Sequence, residues 1–170
     1  MLLSFARVVV PEDVDRLVEF LGASEWPFHG IAHAHPDDVR RMEFVSPKVS
    51  SFWAQCDDRD VGLIRLLDLD DTGEGSPLFD LRIAETDRGR GVGTACVAWL
   101  TGHLLTAYPR LHRVEATTRD DNVAMQRTLE RSGYQLEGRL RESWLSESGV
   151  RHDTLVYGIL RTDWGPRPWP

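Results

Sequence analysis

The sequence predicts a mixed α/β domain built on a single sheet, and three observations support this class. The chain has 170 residues, which suits one domain spanning 1–170 with one main core. Hydrophobic residues make up 41% of the chain and charged residues 28%, which is the composition of a globular protein. Short β-branched runs alternate with segments whose apolar residues recur every three or four positions, so strands and helices are interleaved along the chain.

Seven segments are predicted as strands because β-branched and aromatic residues are frequent in them and turn residues bound them. In the fourth, apolar residues alternate with Asp80 and Arg82, which places the two sets on opposite faces of the sheet. The predicted strands are 5–10, 52–55, 61–69, 77–84, 111–118, 134–145 and 150–164.

Four segments are predicted as helices, namely 11–22, 36–44, 91–108 and 122–132. The first is expected to begin with Pro11 at its N1 position, where proline is favoured, and to end at Gly22. For the fourth we expect a cap from Asp120 or Asp121 and a stop at Gly133.

Charge and cysteine content argue against several kinds of partner. A net charge of −7 argues against strong binding to nucleic acid, which needs basic clusters, and mainly indicates good solubility. Cys56 and Cys96 are not part of a C-x-x-C pair, so no structural zinc or other metal is expected. No apolar stretch reaches the roughly 18 residues of a membrane span, and no secretory signal is recognisable, so we expect a cytoplasmic protein.

A glycine-rich turn follows the fourth predicted strand and leads into the third predicted helix. Gly89, Gly91 and Gly93 let backbone N–H groups approach a ligand, and Arg88 and Arg90 add positive charge. The helix start contributes unpaired N–H donors, so the turn is suited to a pyrophosphate. The alternative is a turn that only joins strand to helix. The spacing matches neither the dinucleotide fingerprint G-x-G-x-x-G nor a P-loop, which needs a lysine.

The pattern R-x-x-G-x-G, formed here by Arg88, Gly91 and Gly93, resembles the acyl-CoA signature of the GCN5-related N-acetyltransferases, the GNAT family. The likeness extends over about residues 3–164. Within the family, the sequence most resembles the branch that contains the ribosomal-protein N-terminal acetyltransferases. The further segments that keep this order and spacing are 112–116, Asn122, 133–134, 137–141 and 149–153.

This resemblance implies a mostly antiparallel sheet splayed between its fourth and fifth strands, with the pantetheine arm of acetyl-CoA, the co-substrate, in the gap. The backbone near Ile83 and Ala84 would bind the arm as an added strand does. Asn122 would face the arm, although a simple helix N-terminal residue is an equal alternative. The residues that would hold the pyrophosphate are Arg88, Gly89, Arg90, Gly91, Val92, Gly93 and Thr94.

Two positions depart from the family pattern, and both concern protonation of the leaving thiolate. Leu129 stands where many members carry a tyrosine acid, and Met125 stands where the ribosomal-type branch often has serine. The thiolate would then take its proton from water or from another group. The amine must also lose a proton, since a lysine-type amine has a pKa of about 10.4. Candidate bases are Glu115 and Asp80, and the alternative for each is a solvated or arginine-paired carboxylate.

The acceptor side is expected near Trp26, Phe28 and His29, which fall where the family has its substrate-side helices and loop. These side chains suit recognition of an amine, but a packed aromatic cluster with one exposed histidine is the alternative. Three functions stay open. The expected one is direct acetyl transfer to a small-molecule amine in a ternary complex. The others are acetylation of a protein N-terminus and non-catalytic binding of acyl-CoA.

Association is the last expectation from the sequence. Members of the family often dimerise through their late strands, and three tryptophans, Trp144, Trp164 and Trp169, lie in or beyond that part of the chain. We therefore expect a homodimer.

Overall fold

The structure, a computed structural model, describes residues 2–29, 32–73 and 76–165. Within these ranges the chain forms seven strands and four α-helices, which confirms the predicted fold class. The strands are β1 (Ser4–Arg7), β2 (Ser50–Cys56), β3 (Arg59–Leu67), β4 (Leu78–Ile83), β5 (Arg113–Arg119), β6 (Gln135–Leu145) and β7 (Arg151–Leu160). The helices are α1 (Val14–Gly22), α2 (Pro36–Arg41), α3 (Val92–Ala107) and α4 (Val123–Arg131). None of the described helices is long and apolar enough to cross a membrane.

Hydrogen bonding divides the strands into two antiparallel sheets, with the orders β1-β2-β3-β4 and β5-β7-β6. The break falls between β4 and β5, where the resemblance implied a splay. The two strands are joined near their starts, because the Ser76 hydroxyl donates to the Arg113 carbonyl over 3.4 Å. At their other ends, Ile83 and Asn122 line one cavity. The gap between the sheets therefore opens towards the C-terminal ends of β4 and β5.

Two cores lie on opposite faces of the first sheet. Trp53 and Leu63 pack with side chains of α1 and α2, whereas Phe52 and Ile64 pack with side chains of α3. The separation follows from the alternation of side chains along β2 and β3. The second sheet adds Val114 and neighbouring residues to the α3 core. Because both sheets share that core, α3 and its contacts hold the edges of the gap at fixed positions.

The start of α1 differs from the prediction, since the helix begins at Val14 and not at Pro11. Residues 10–13 form a turn in which the Val14 N–H donates to the Pro11 carbonyl. The Asp13 carboxylate accepts from the Val9 N–H over 2.8 Å, so it stabilises the turn and does not cap a longer helix. The second helix also ends earlier than predicted, at Arg41, because the chain turns there and buries residue 44 in the smaller core.

The start of α4 also corrects the prediction, because its cap is Asn122 and neither Asp120 nor Asp121. The Asn122 side chain accepts from the Met125 N–H over 3.2 Å. Both aspartates are instead ion-paired with arginine side chains. Gly133 ends the helix as predicted, with a φ of +91° that glycine adopts readily.

Candidate active site

A cavity of about 480 Å³ lies where the gap between the sheets opens, a volume typical of small-molecule sites. Its walls come from the segment after α1, the end of β4, the turn before α3, and α4. The predicted cofactor residues that line it are Ile83, Arg88, Gly89, Gly91, Gly93, Thr94 and Asn122. The predicted substrate-side residues Trp26, Phe28 and His29 line it as well.

Two glycines of the turn have conformations that other residues rarely adopt. Gly89 has a φ of +73° and Gly91 a φ of +85°, both in the left-handed region. A Cβ built on either residue would meet no atom of the described chain within 4 Å. Space in front of the backbone is therefore open to a ligand, and glycine is required by the dihedral angles and not by crowding.

The first residues of α3 direct their N–H groups towards the same turn. Gly91 is the cap, and the first helical bond runs from Ala95 N–H to Gly91 O over 3.0 Å. The N–H groups of Val92, Gly93 and Thr94 thus have no acceptor within their own helix. The Val92 side chain is buried in the core, so only its backbone can serve the site. Donors of this kind at a helix start suit an anionic group.

Arg88 fastens the turn to the rest of the chain. Its Nε donates to the Ile83 carbonyl over 3.1 Å, and one terminal nitrogen donates to the Glu25 carbonyl over 2.8 Å. The guanidinium also lies 5.4 Å from the ring centre of Trp26. Arg88 therefore positions the turn, the end of β4 and the segment after α1 relative to one another.

The sequence reasoning missed two further cations at the cavity. Arg127 and Arg131 are exposed on α4 and line the cavity one helical turn apart. Their spacing of four residues places them on one face of the helix, which is the signal that could have revealed them. The predicted Arg90 is exposed but does not line the cavity, and its charge helps to lower the pKa of Asp87 after Arg59 and Thr86.

The open edge of β4 presents backbone groups to the gap. The Ala84 N–H donates to the Val61 carbonyl over 2.9 Å, so Ala84 is directed towards β3. Because directions alternate along an antiparallel strand, the groups of Leu81 and Ile83 point the other way, into the gap. Both polar backbone groups of Ala84 are already bonded within the chain. Of the two residues predicted to bind pantetheine, Ile83 is therefore the one directed towards the gap, where its carbonyl already accepts from Arg88 Nε and its N–H is the group left for a ligand.

Asp80 and His29 form an enclosed polar pair at the cavity. His29 Nε2 lies 3.0 Å from Asp80 Oδ1 and 3.3 Å from the Leu81 carbonyl oxygen. The side chains of His29 and Asp80 are 22% and 16% exposed. His29 Nδ1 is buried and has no hydrogen-bond partner among the described residues. Asp80 itself does not line the cavity, but it lies directly behind a residue that does.

The charge of Asp80 is balanced by two arginines. Its Oδ2 lies 3.3 Å from Arg82 Nε and 3.6 Å from a terminal nitrogen of Arg65. Burial by itself raises the pKa of Asp80, but the contact with His29 and the positive charges of Arg82 and Arg65 lower it well below the usual range. The carboxylate is thus ionised at every ordinary pH, and so low a pKa makes it a weak acceptor of protons.

Glu115 occupies a different setting on β5. It is half-exposed, and its Oε1 lies 2.9 Å from Arg113 Nε. Arg113 also pairs with Glu137 over 2.5 Å, and this pair crosses the sheet above Gly158. Among the described residues, those that line the cavity do not include Glu115. Its assignment as the base stays a prediction that this placement does not favour.

The predicted aromatic wall is partly a packed cluster. Trp26 is 2% exposed and donates from its indole nitrogen to the Leu21 carbonyl. The ring of Phe28 is covered by the Arg119 guanidinium at 5.2 Å. Among the described residues of this wall, only His29 presents a polar side-chain atom without a partner. Recognition of an amine by the aromatic faces stays a prediction.

A family model described as "Acetyltransferase (GNAT) domain" matches residues 5–135, most of the chain. The chain belongs to the GNAT acetyltransferases. No curated protein sequence matches it. Its fold is shared by many solved structures, three of which represent different acceptors.

The first of these is the spermidine N-acetyltransferase from Vibrio cholerae in complex with CoA and spermine. It has a TM-score of 0.78 and 17% identity, and the match covers 95% of this chain and 96% of that one. The ribosomal-protein α-N-acetyltransferase RimL in complex with CoA has a TM-score of 0.79, 14% identity and 93% coverage of both chains. An aminoglycoside acetyltransferase with CoA has a TM-score of 0.74, 17% identity and coverages of 95% and 96%.

Within this GNAT domain, the two departures from the family pattern have clear positions. Leu129 is fully buried in the main core, so its replacement of tyrosine contributes packing and no acid. Met125 lines the cavity together with Asn122. Asn122 caps α4, which was one of the two alternatives left by the sequence, and it also lies at the cavity. Its contact with a cofactor stays a prediction.

Proposed function

We propose that this protein transfers the acetyl group of acetyl-CoA to the primary amine of a small molecule by direct attack in a ternary complex. One observation carries the proposal. A single cavity is lined by the glycine turn with its helix start and also by His29, which is backed by Asp80. An anion-binding region and a proton-accepting group are thus held together, and such proximity supplies much of the rate in direct transfer.

Acetyl-CoA fits the chemistry of the cavity and would supply an activated thioester. The left-handed glycines Gly89 and Gly91 and the N–H groups at the start of α3 would hold the pyrophosphate. Arg127 and Arg131 would add charge-assisted contacts to phosphate oxygens. The N–H of Ile83 at the open edge of β4 would donate to a carbonyl of the pantetheine arm.

A small acceptor is favoured by a contact that fixes the segment carrying Phe28 and His29. The Ala32 N–H donates to Glu147 Oε1 over 3.0 Å, so the segment after α1 is joined to the turn between β6 and β7. An extended protein N-terminus needs a groove that is open along its length, whereas a small amine can enter through a shorter opening. The proposal retains the cytoplasmic location expected from the sequence.

Direct attack is favoured over a covalent acetyl-cysteine route by the positions of the cysteines. Cys96 is fully buried, and burial raises the pKa of its thiol to about 12. A thiol of this kind is not a nucleophile at neutral pH. Cys56 lies at the end of β2, and neither cysteine is among the described residues that line the cavity.

The test is a transfer assay with acetyl-CoA, read by mass spectrometry of the product. The acceptor panel should contain spermidine, spermine, an aminoglycoside and short peptides with free N-termini. We expect acetylation of at least one small amine and none of the peptides. Acetylation of the peptides alone would instead indicate an enzyme that acetylates protein N-termini. Binding of CoA without transfer to any acceptor would instead favour a non-catalytic acyl-CoA-binding domain.

The glycine turn provides a separate prediction on cofactor binding. Gly91→Val places a branched side chain in the open space before the start of α3, so it should block the phosphate contacts. Loss of one or two charge-assisted hydrogen bonds corresponds to a rise in Kd for CoA of about 10-fold to 100-fold. Titration calorimetry gives this Kd. The matched control is Gly149→Val, because Gly149 has a similar φ of +80° with open space but lies in the β6–β7 turn. Equal affinity in both variants would contradict the assignment.

A homodimer through the late strands is also part of the proposal. Large apolar side chains are exposed on and beside β6 and β7, with Leu136, Leu140 and Leu145 more than half exposed. Trp164, one of the three tryptophans named from the sequence, packs against Gly102 on α3 instead, and Trp169 lies outside the described residues. Sedimentation at tens of micromolar should give a species of twice 19.3 kDa. A lone 19.3 kDa species would contradict this expectation.

A further inference from the structure

We propose that His29, oriented by Asp80, is the general base that takes the proton from the acceptor amine. The inference rests on the proposed transfer and names the residue that performs its proton step. The sequence placed His29 only among the substrate-side residues and favoured two carboxylates for the base. The contacts of the histidine ring lead to a different assignment.

The two neighbours of Nε2 fix the tautomer of the ring. Asp80 Oδ1 lies 3.0 Å and the Leu81 carbonyl oxygen 3.3 Å from His29 Nε2. An ionised carboxylate and a carbonyl are acceptors only, so Nε2 must carry the hydrogen. In the neutral ring the lone pair is then on Nδ1. This nitrogen is buried and has no hydrogen-bond partner among the described residues, whereas other atoms of its residue line the cavity, so the amine must come against the ring to reach it.

Asp80 is held in the state that this role needs. Arg82 Nε and a terminal nitrogen of Arg65 lie within 3.6 Å of its second oxygen, and the side chains of all three residues are at most 16% exposed. The carboxylate therefore stays ionised and fixed in position. It orients the imidazole through Nε2 and stabilises the imidazolium that forms when Nδ1 takes a proton, as a buried aspartate does for a catalytic histidine elsewhere.

Charged side chains lie on the elements that are packed around His29. Among the described residues, Asp80 on β4 contacts His29 directly, and Arg82 on β4 and Arg65 on β3 contact Asp80. Arg88 on the turn before α3 lies beside Trp26, and Arg119 on β5, which is paired with Asp121, donates to the Pro27 carbonyl.

Protons and electron pairs balance in the proposed step. An alkylammonium group gives one proton to His29 Nδ1, and the lone pair of the resulting amine forms the new C–N bond at the thioester carbonyl. The C–S bond breaks, and its electron pair leaves with sulfur. The second proton lost by the nitrogen goes to the thiolate through solvent, because Leu129 offers no acid. His29 then returns its proton to solvent.

The tautomer of His29 is tested without any substrate. A long-range ¹H–¹⁵N spectrum of the full chain distinguishes Nε2–H, Nδ1–H and imidazolium forms, and the His29 signals are assigned by their loss in His29→Gln. We expect the Nε2–H form at mildly alkaline pH. Observation of the Nδ1–H form would overturn the inference, whether or not an acceptor has been found.

The kinetic test uses an amine acetylated in the panel above. His29→Gln should lower kcat/KM at neutral pH by about 10²–10⁴-fold, the usual contribution of a general base. The variant should regain activity as the pH rises and the amine loses its proton unaided. The matched control is His103→Gln, because His103 is half-buried on α3, stacks on Trp99 and does not line the cavity. It should keep the wild-type rate and pH profile. Identical pH profiles for wild type and His29→Gln would remove His29 from the mechanism, whereas failure of every amine would count against the proposed function instead.

Discussion

Asp80 and Glu115 lie on the strands that face each other across the gap, and both were predicted as candidate bases, yet their surroundings differ. Asp80 is enclosed behind His29 and neutralised by Arg65 and Arg82. Glu115 is half-exposed and paired with Arg113 on a face of β5 that does not contribute to the cavity. The difference shows that position on the right strand does not imply access to the cavity. Under the role proposed for His29, a carboxylate behind the cavity wall acts through its neighbour.

The largest expected effect of this difference is on activity in Asp80→Asn. The asparagine amide can donate to His29 Nε2, which would shift the ring hydrogen to Nδ1 and remove the free lone pair. The value of kcat/KM at neutral pH should fall by about 10²–10⁴-fold. The measurement is a pH–rate profile combined with the tautomer spectrum. An Asp80→Asn variant that keeps both the wild-type tautomer and the wild-type rate would show that Asp80 serves only the fold.

A second expected difference lies in stability. Asp80→Asn leaves Arg65 and Arg82 without their carboxylate in a buried site, and loss of one partner of a buried pair costs about 3–5 kcal/mol in free energy of unfolding. Glu115→Gln affects an exposed pair, for which about 0–1 kcal/mol is usual. Urea unfolding of both variants at pH 7 compares the two costs. Equal losses would break the distinction between the enclosed and the exposed carboxylate.

The effect of Asp80→Asn on the free energy of unfolding should also depend on pH. Because the pKa of Asp80 is lower in the folded chain than in the unfolded one, its stabilisation is fully present above the unfolded value of about 3.9. It is lost as the pH falls through the folded pKa. The loss of unfolding free energy caused by Asp80→Asn should therefore be constant between about pH 5 and 8 and shrink in stronger acid. The same loss should also be measured by comparing His29→Gln with the His29→Gln, Asp80→Asn double variant. Without the imidazole of His29, the remaining pH dependence no longer includes the titration of that ring.

The smallest expected effect is that of Glu115→Gln on activity. Its carboxylate contacts Arg113 and does not line the cavity, so kcat/KM should stay within about twofold of the wild type across the pH range. The prediction made from the sequence alone was a loss of about 10²–10⁴-fold. A steady-state pH–rate profile on a verified amine distinguishes the two expectations. A loss of the larger size would restore Glu115 as the base and contradict the role assigned to His29.

Local patterns in the sequence were sufficient for the fold class and for the glycine turn. Strand alternation, helical spacing and glycines before α3 depend on neighbours in the chain, so the number and order of the described elements could be predicted from them. The family resemblance added the splay between β4 and β5. The same patterns failed at Pro11 and Asp120, because specific side-chain contacts, and not the general residue preferences for helix starts, determine where these two helices begin.

The identity of the polar pair at the cavity could not be obtained in this way. His29 and Asp80 are 51 positions apart, and their contact depends on how the segment after α1 folds over the edge of β4. Alternation along a strand assigns a face to each carboxylate but does not say which face borders the gap or which arginine reaches it. Those facts arise only when both sheets pack on α3, because packing brings together residues that are distant in the chain and excludes water from them. The chain pattern thus determined the elements and the glycine turn, and tertiary packing determined which titratable groups meet, how far they are buried and which of them lines the cavity.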